Sequence, residues 1–435
     1  RGQAQVWVQL GLHHFILPSV AMSFKPFTAY VVDAARTAGG KRNGALSGWQ
    51  PADLGAEVCD ALVERTGIDG KHIDDVIFGC VSQIGAQAGN IGRNVVLAAK
   101  KIPESVPGCS VDRQCGSSQQ SIHFAAQAVM SGVQDVVIAG GVEIMSLVPI
   151  GSNIRAGVKA GAGVPMTDTM REKYGEQMKK EFAPFEINPA LFSQFGGAEL
   201  LAKKYNMTRE ELEQFAVLSQ ERAAKATKDG KFKKEIVPVP VKRNKGESSG
   251  THEVDEGIRA TTMETLAKLK TLHPNGVITP AVSSQICDGA AAVLICNERG
   301  LEKLGVKPIA KLVGLELVGT DPVIMLEGPV PASQKVLEKL GLKIDDVGLY
   351  EVNEAFAPVP LACVKAVGLK MEKLNVNGGA MALGHPLGAT GAKLLTTLVH
   401  EMDRRQERYG LLAICEGGGT ANALVVERCA PGSKL

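Results

Sequence analysis

The tetrapeptide Ile-Asp-Asp-Val occurs twice in the sequence, at residues 73–76 and at residues 344–347. Each copy follows a stretch with helical character, residues 52–66 before the first and residues 331–340 before the second. Each copy also precedes a short apolar run that is typical of a buried β-strand. A repeat of this kind restricts the chain to two supersecondary units of one plan, so the sequence predicts two similar α/β halves.

The two halves remain alike beyond the repeated tetrapeptide. About forty residues further on, each half has a short segment that turns into a helix, with Cys115 in the first and His385 in the second. Each half then contains a strand that ends in glycines, at residues 136–141 and 411–419. This order predicts βαβ-type units in both halves.

The composition changes between the two halves. Residues 147–274 are richer in Lys, Glu and Met than their surroundings, and we predict that they form an inserted lobe. The predicted N-terminal half comprises residues 22–146 and 275–304, and the predicted C-terminal half comprises residues 305–430. Within the lobe, apolar residues at helical spacing predict a helix that Thr208 caps and Gly230 ends.

The bulk composition excludes several classes of protein. A net charge of +2, with no basic stripe interleaved with aromatic residues, argues against nucleic-acid binding. No apolar run is long enough for a membrane span. The nine cysteines form no Cys-x-x-Cys pair, which favours reduced thiols and no zinc site.

The two ends of the chain carry separate predictions. Residues 1–21 do not resemble the rest of the sequence, and we interpret them as an upstream or non-native extension. Residues 431–435 form a tail that ends in Ser-Lys-Leu, which is a receptor-read peroxisomal address in a eukaryote. The expected location is therefore the peroxisome or a similar organelle if the source is eukaryotic, and otherwise the cytoplasm.

Cys115 is the first candidate for chemistry because it follows a predicted strand and opens a predicted helix. The positive end of a helix dipole and free backbone N–H groups would lower the pKa of a thiol there. The alternative is a buried structural cysteine.

His385 lies in a segment with five glycines in fourteen residues, residues 378–391. So many glycines indicate sharp turns or close approach to a ligand, and a histidine there could move a proton or stabilise an oxyanion. The alternative is a histidine in a tightly packed turn.

Three further residues lie at strand ends. Cys415 precedes a run of three glycines whose N–H groups could bind an anion, although an ordinary strand cysteine is the alternative. Asn353 and Glu354 form a polar pair between apolar residues, which could hold a water or a histidine, or could form an Asx turn or helix cap.

Together these segments resemble the thiolase family. The resemblance runs from Phe24 to Glu427 and consists of five motifs in the family's order and spacing: VDRQCGSSQQSI, AGGVEIMS, NEAF, NGGAMALGHPLGATG and CEGGGTANA. It implies the thiolase fold, an α/β fold of two repeated βαβαβαββ halves. These would form a layered α-β-α-β-α core with an inserted loop domain.

The resemblance also implies roles for individual residues. Cys115 matches the nucleophile that is acylated, and His385 matches the histidine that activates it and helps to form an oxyanion hole. Asn353 matches the residue that holds a water in that hole. Cys415 matches the general acid/base, and the N–H group of Gly417 would complete a second oxyanion hole.

Two more residues match positions that contact coenzyme A. Ser284 resembles the serine that meets the pantetheine arm, and Arg259 resembles the arginine near the adenine. The resemblance implies no metal and no cofactor, with CoA and acyl-CoA as substrates. It also implies a homo-oligomer, either a dimer or a tetramer, and an import receptor would be a further partner in a eukaryote.

The expected reaction is the cleavage of 3-ketoacyl-CoA by CoA in fatty-acid β-oxidation, catalysed by an acetyl-CoA C-acyltransferase. One alternative is an acetyl-CoA C-acetyltransferase that acts on acetoacetyl-CoA, and a further alternative is a thiolase-like protein that binds acyl-CoA without catalysis. Cys415 argues against the ketoacyl synthases, which share the fold but lack a second catalytic cysteine.

Overall fold

The computed structural model describes residues 26–430. The predictions about residues 1–21 and about the Ser-Lys-Leu tripeptide lie outside the described residues. Within them, no helix combines the length and the apolar character needed to cross a membrane.

In the described part of the chain, the N-terminal half contains five strands of the main sheet, one two-residue strand and four helices. Its strands are β1 (Tyr30–Arg36), β2 (Gly40–Lys41), β3 (Asp75–Gly79), β4 (Gly108–Val111) and β5 (Val136–Ile144), with β8 (Cys287–Cys296) later in the chain. Its helices are α1 (Pro51–Thr66), α2 (Ile91–Ala98), α3 (Ser117–Ser131) and, after β8, α9 (Glu298–Leu304).

The segment between β5 and β8 is mostly helical. It contains α4 (Ser152–Lys159), α5 (Asp168–Phe182), α6 (Gln194–Lys204), α7 (Arg209–Lys228), the hairpin of β6 (Val239–Pro240) and β7 (Thr251–His252), and α8 (Met263–Ala267). The predicted cap of α7 is confirmed, because Thr208 and Glu211 form a reciprocal capping box.

The C-terminal half repeats the plan of the N-terminal half. Its elements are β9 (Ala310–Gly319), α10 (Pro329–Leu340), β10 (Leu349–Val352), α11 (Pro358–Val367), α12 (Ala380–Leu383), α13 (Thr390–Arg405), β11 (Tyr409–Cys415) and β12 (Thr420–Arg428).

The main sheet has the strand order β4-β3-β5-β8-β1-β9-β12-β11-β10, and β2 pairs with β8. The two halves join where β1 meets β9, through the pairs Tyr30–Lys311 and Val31–Ala310. In the described chain the C-terminal half has four strands of this sheet, whereas the N-terminal half has five. The counterpart of β4 is reduced to a single parallel bridge between Tyr350 and Leu374.

Three apolar clusters show the predicted five layers. One cluster packs α1 and α2 onto one face of the N-terminal sheet. A second packs α10 and α11 onto the outer face of the C-terminal sheet, where α6 and α7 join them. The third contains α3 and α13, which lie between the inner faces of the N-terminal and C-terminal parts of the main sheet. The predicted α-β-α-β-α layering is thus confirmed. The two central helices, α3 and α13, begin shortly after Cys115 and His385.

Candidate active site

Cys115 lies in a tight turn between β4 and α3. Gln114 has a φ of +48°, and Ser117 braces the turn because its hydroxyl accepts from the Arg113 N–H (3.0 Å) and donates to the Gln114 carbonyl (2.6 Å). The sulfur of Cys115 is partly buried and packs in a cluster with Cys287 and Leu387. This turn therefore brings Cys115 to the segment that carries His385.

The prediction that the helix would lower the pKa of Cys115 is wrong. Removal of water by the surrounding protein raises the pKa of Cys115 to about 12, and the nearby Glu416 carboxylate raises it further. Cys115 lies two residues before α3, so the helix dipole favours the thiolate. The free-energy cost of a thiolate that is shielded from water is larger than this effect, so the pKa rises. The resting group is a neutral thiol.

His385 follows the one-turn helix α12 and precedes α13. Thr390 Oγ1 donates to the Pro386 carbonyl (2.9 Å), so it accepts the proton of His385 Nδ1 at 2.6 Å. The other ring nitrogen, Nε2, then carries a lone pair, and Asn353 Nδ2 lies 3.3 Å from it. Burial, followed by the charge of Lys393, lowers the pKa of His385 to about 3, so the imidazole is neutral.

Cys415 ends β11 and is fully buried. Burial raises its pKa well above the usual range, and Cys115 is close enough to raise it further by charge repulsion. Asn353 leaves β10, the neighbouring strand, and its N–H donates to Ala413 at 3.0 Å. The structure therefore brings Cys115, His385, Asn353 and Cys415 to one place.

Gly417 begins a short turn, Gly417–Gly419, directly after this strand. A side chain at Gly417 would lie 3.1 Å from the side-chain oxygen of Gln114, the residue before Cys115. Gly418 and Gly419 both have a φ of +79°, a conformation that favours glycine. The run of three glycines thus lies beside the Cys115 turn.

Two buried charged residues that were not predicted from the sequence, Glu143 and Lys393, also support the site. Glu143 accepts hydrogen bonds from the N–H groups of Val81 (3.0 Å), Ser82 (3.1 Å) and Gly388 (2.9 Å), so it ties the His385 segment to the N-terminal half. Lys393, in α13, donates to the carbonyls just before His385. An acidic residue inside the buried strand β5 was the available signal for Glu143.

Of the two predicted CoA contacts, Arg259 lines a cavity, whereas Ser284 is next to a residue that does so. Arg259 is at the mouth of a cavity of about 260 Å³, where its guanidinium donates to Gln285 at 3.1 Å. Ser283 lines this cavity, whereas Ser284 bonds through its backbone N–H to Ala355 at 2.9 Å. The role of Ser284 stays a prediction, and Ser283 is its neighbour on the cavity wall.

A second cavity, of about 520 Å³, begins at Gln114, Gly417 and Gly418 and extends under the inserted segment. Its far wall is mostly apolar and is formed by side chains of the inserted segment and of the loop after β9: Ile154, Pro165, Met166, Met170, Tyr174, Leu191, Phe192, Pro322 and Met325. One end of this cavity therefore lies at the candidate site, and the rest could hold an apolar group.

Known proteins share both the sequence and this architecture. The family profile described as "Thiolase, N-terminal domain" matches residues 29–299, and the one described as "Thiolase, C-terminal domain" matches residues 306–428. The chain is 50% identical to the steroid 3-ketoacyl-CoA thiolase FadA6 of Mycobacterium tuberculosis, over 92% of this chain and 94% of that protein. It is 40% identical to the 3-ketoacyl-CoA thiolase of Bacillus subtilis, over 92% of this chain and 99% of that protein.

A solved structure also shares this architecture. The crystal structure of the acetyl-CoA acetyltransferase of Bacillus anthracis superimposes with a TM-score of 0.82 at 35% sequence identity, and the alignment covers 94% of this chain and 100% of that one. All three of these proteins come from bacteria. The profiles, the relatives and the structural match agree, and the chain belongs to the thiolase family of acyltransferases.

Proposed function

We propose that this enzyme cleaves 3-ketoacyl-CoA with CoA, giving acetyl-CoA and a shortened acyl-CoA through a thioester on Cys115. The observation that carries the proposal is the convergence of the half-buried residue Cys115, a neutral imidazole and a second, buried thiol at one end of the core helices. A thiol nucleophile beside a base suits acyl transfer, and a second thiol suits proton transfer at carbon.

Because the Cys115 thiol and the His385 imidazole are both neutral at rest, the first step must include a proton transfer between them. As the Cys115 sulfur attacks the keto carbon of the substrate, its proton passes to His385 Nε2, whose lone pair gives up the hydrogen bond that it accepts from Asn353 Nδ2. Asn353 Oδ1 is buried and has no hydrogen-bond partner among the described residues, so it is free to accept from a water at this place. That water and the protonated imidazole would stabilise the oxyanion that forms.

The remaining steps return each group to its starting form. Cleavage of the carbon–carbon bond leaves the acyl group on Cys115 and releases the enolate of acetyl-CoA, which takes a proton from Cys415. The Cys415 thiolate then accepts the proton of an incoming CoA thiol. The CoA sulfur attacks the thioester, and the Cys115 thiolate that leaves regains its proton from His385. Backbone N–H groups of Cys115 and Gly417 would bind the oxygen of the enolate.

The large cavity supports a substrate with a bulky apolar acyl group. Its wall of methionine, leucine and aromatic side chains is adaptable and suits a group much larger than the acetoacetyl moiety. The relative that is 50% identical is named for steroid substrates, and a steroid-derived 3-ketoacyl-CoA is therefore a candidate beside long linear chains. Arg259 and the neighbouring serines would hold the CoA moiety at the smaller cavity.

A second candidate function is the thiolysis or synthesis of acetoacetyl-CoA. The structural match in Bacillus anthracis and a relative in Syntrophomonas wolfei that is 40% identical both bear the name acetyl-CoA acetyltransferase. This activity needs the same catalytic groups and differs only in how much of the large cavity the acyl group occupies.

A thiolysis profile tests the proposal. The purified enzyme is mixed with CoA and 3-ketoacyl-CoAs of four to sixteen carbons, and with one that carries a polycyclic acyl group, and loss of the 3-keto thioester is recorded. We expect kcat/KM to rise beyond four carbons, and mass spectrometry of the quenched enzyme to find the acyl group on Cys115. A Cys115→Ala variant with unchanged circular dichroism is the control and should be inactive.

Three outcomes separate the candidates. Activity confined to acetoacetyl-CoA favours the second candidate function. A folded enzyme that binds these thioesters but cleaves none of them is a binding protein, and the proposal is then wrong. An acyl group found on a cysteine other than Cys115 contradicts the assigned nucleophile.

A further inference from the structure

Lys393 is a charged residue in the middle of the molecule. It lies in the first turns of α13 and is 4% exposed, and its ammonium donates hydrogen bonds to the carbonyl oxygens of Leu383 and of Gly384, the latter at 3.2 Å. Leu383 ends α12, and Gly384 is the residue directly before His385. The lysine therefore holds the two peptide groups through which the chain enters the catalytic histidine.

These two carbonyls need a partner. The last carbonyl groups of a one-turn helix accept no hydrogen bonds from within the helix. The φ of +84° at Gly384 ends the helix there, so no further turn supplies the missing donors. A cation at the C-terminal end of a helix satisfies such carbonyls and also interacts favourably with the helix dipole. On the other side of the same backbone, the N–H of His385 is directed at the sulfur of Cys287.

The charge of Lys393 belongs to a buried group of four charged side chains. Arg36, from β1, donates to Glu235 at 2.7 Å and to Asp255 at 2.9 Å and 3.1 Å, and both carboxylates come from the inserted segment. Asp255 and Glu235 attract Lys393, Arg36 repels it, and burial lowers the pKa of Lys393. Two cations and two anions balance, which allows the ammonium to stay charged without water.

We propose that Lys393 is a positioning residue of the active site, which fixes the backbone entering His385 and opposes a second positive charge on the imidazole. The inference rests on the proposed role of His385. Among the described residues, Lys393 is the charged group that acts on His385, since the other neighbours of the ring, Thr390 and Asn353, are neutral. The resting imidazole is therefore neutral and keeps a lone pair for the proton of Cys115, and the positive charge that it gains during the attack is compensated by the oxyanion that forms beside it.

The test compares Lys393→Met, which keeps the length and removes the charge, with Lys393→Arg, which keeps the charge. For Lys393→Met we expect kcat to fall about 10- to 100-fold, the usual effect of losing a group that orients a catalytic ligand, with KM changed less than about threefold. Lys71→Met, which removes an exposed lysine from a pair with Asp69, is the control and should change neither value.

The second measurement separates positioning from simple structural support. In enzyme labelled with ¹⁵N-histidine, the ring nitrogens of His385 report its protonation between pH 4 and pH 7. We expect a neutral ring with its proton on Nδ1 throughout that range in the wild type and in Lys393→Arg. Lys393→Met should raise the pKa of His385 by about one to two units, because a like charge has been removed.

Should Lys393→Met fail to fold, the double variant Lys393→Met with Asp255→Asn keeps the buried charges balanced and is measured instead. The inference is wrong if a folded variant without the ammonium keeps the wild-type kcat and the wild-type titration of His385. It is also wrong if His385 in the wild type gains a proton above pH 6. A wild type that cleaves no 3-ketoacyl-CoA contradicts the proposed function alone, since the titration is measured without substrate.

Discussion

Three ionisable side chains of the active site, Cys115, His385 and Glu416, are neutral at pH 7. Burial raises the pKa of Cys115 to about 12 and that of Glu416 to about 8, and it lowers the pKa of His385 to about 3. A neutral thiol beside a neutral base gains its reactivity only when the substrate is in place and the proton can move. The site is therefore protected from reagents that attack free thiolates.

Glu416 allows a prediction about pH. Its carboxyl accepts from Thr420 Oγ1 at 2.6 Å, and its charged form raises the pKa of Cys115. Below about pH 8 the carboxyl is protonated and this effect is absent. Glu416→Gln cannot ionise, so we expect iodoacetamide to alkylate Cys115 at nearly the wild-type rate at pH 6.5 and about tenfold faster at pH 9, which corresponds to about one pKa unit.

The alkylated peptide is quantified by mass spectrometry, because Cys109 is also exposed to the reagent. Glu264→Gln, on the exposed helix α8, is the control and should follow the wild type at every pH. If the rate ratio of Glu416→Gln to the wild type stays constant from pH 6.5 to pH 9, Glu416 does not ionise in this range.

The sequence indicated which residues to examine but not their ionisation. The motifs around Cys115, His385 and Cys415 are local, and each lies at a place where a strand or turn meets a helix or glycine run, as predicted. Their pKa values depend on burial by residues far away in the chain. The expected low pKa of Cys115 followed from its own helix alone, and the sequence contains no sign that Glu416 approaches that thiol from the other half.

At the level of elements, the turn after His385 packs closely against two strands at positions that are occupied by glycine. Gly388 packs against Gly79 at the end of β3 and against Gly141 in β5. An added Cβ atom at Gly141 would lie 2.0 Å from the carbonyl oxygen of Gly388, which is backbone and cannot rotate away. Here glycine is required for close approach of two segments rather than for a special backbone angle.

Gly141→Ala should therefore be destabilising and also reduce activity. We expect a loss of about 1–3 kcal/mol in the free energy of unfolding, as for other overpacked sites, and a fall in kcat because the His385 segment must shift. Gly319→Ala, at the end of β9, is the matched control, since no atom lies within 4 Å of its added Cβ.

Denaturant unfolding and thiolysis rates are recorded for both variants. A Gly141→Ala enzyme with the stability and kcat of the wild type would show that this turn can move at no cost.

The sequence predicted the elements best where the pattern is long or the capping residue is specific. Helix α7 begins after Thr208, as its capping box predicts, and the helix over residues 331–340 is observed as Pro329–Leu340. The fifth strand of the C-terminal half is reduced to one bridge at Leu374, although the first half has a four-residue strand there. Strand pairing over so few residues depends on tertiary contacts, and a sequence repeat does not predict those contacts.

At the scale of the whole molecule, the buried charges at Arg36 join parts of the chain that are distant in sequence. Arg36 lies in the N-terminal half, its partners Glu235 and Asp255 lie in the inserted segment, and Glu235 also accepts from Thr397 of the C-terminal half at 3.0 Å. All of these side chains are buried. These hydrogen bonds thus fix the inserted segment to both halves of the molecule.

Arg36→Met should weaken this attachment strongly. Removing the cation leaves two buried carboxylates without their main partner, and such a change costs about 3–5 kcal/mol. We expect a matching fall in the free energy of unfolding, together with faster tryptic cleavage within residues 147–274. Lys71→Met removes an exposed lysine that pairs with Asp69 and should cost less than about 1 kcal/mol. Equal stability of the two variants would mean that the buried group does not hold the inserted segment.

The placement of α3 and α13 side by side between the sheets has a consequence for how such an enzyme can arise. The two helices occupy matching positions in the two repeats, yet a sulfur stands before one and an imidazole before the other. Two identical copies of either repeat could build the same frame, but they would offer a pair of thiols or a pair of rings, and neither pair places a thiol nucleophile beside an imidazole base as the proposed mechanism requires. The catalytic power of this molecule therefore depends on its two halves having become different while their shapes stayed alike.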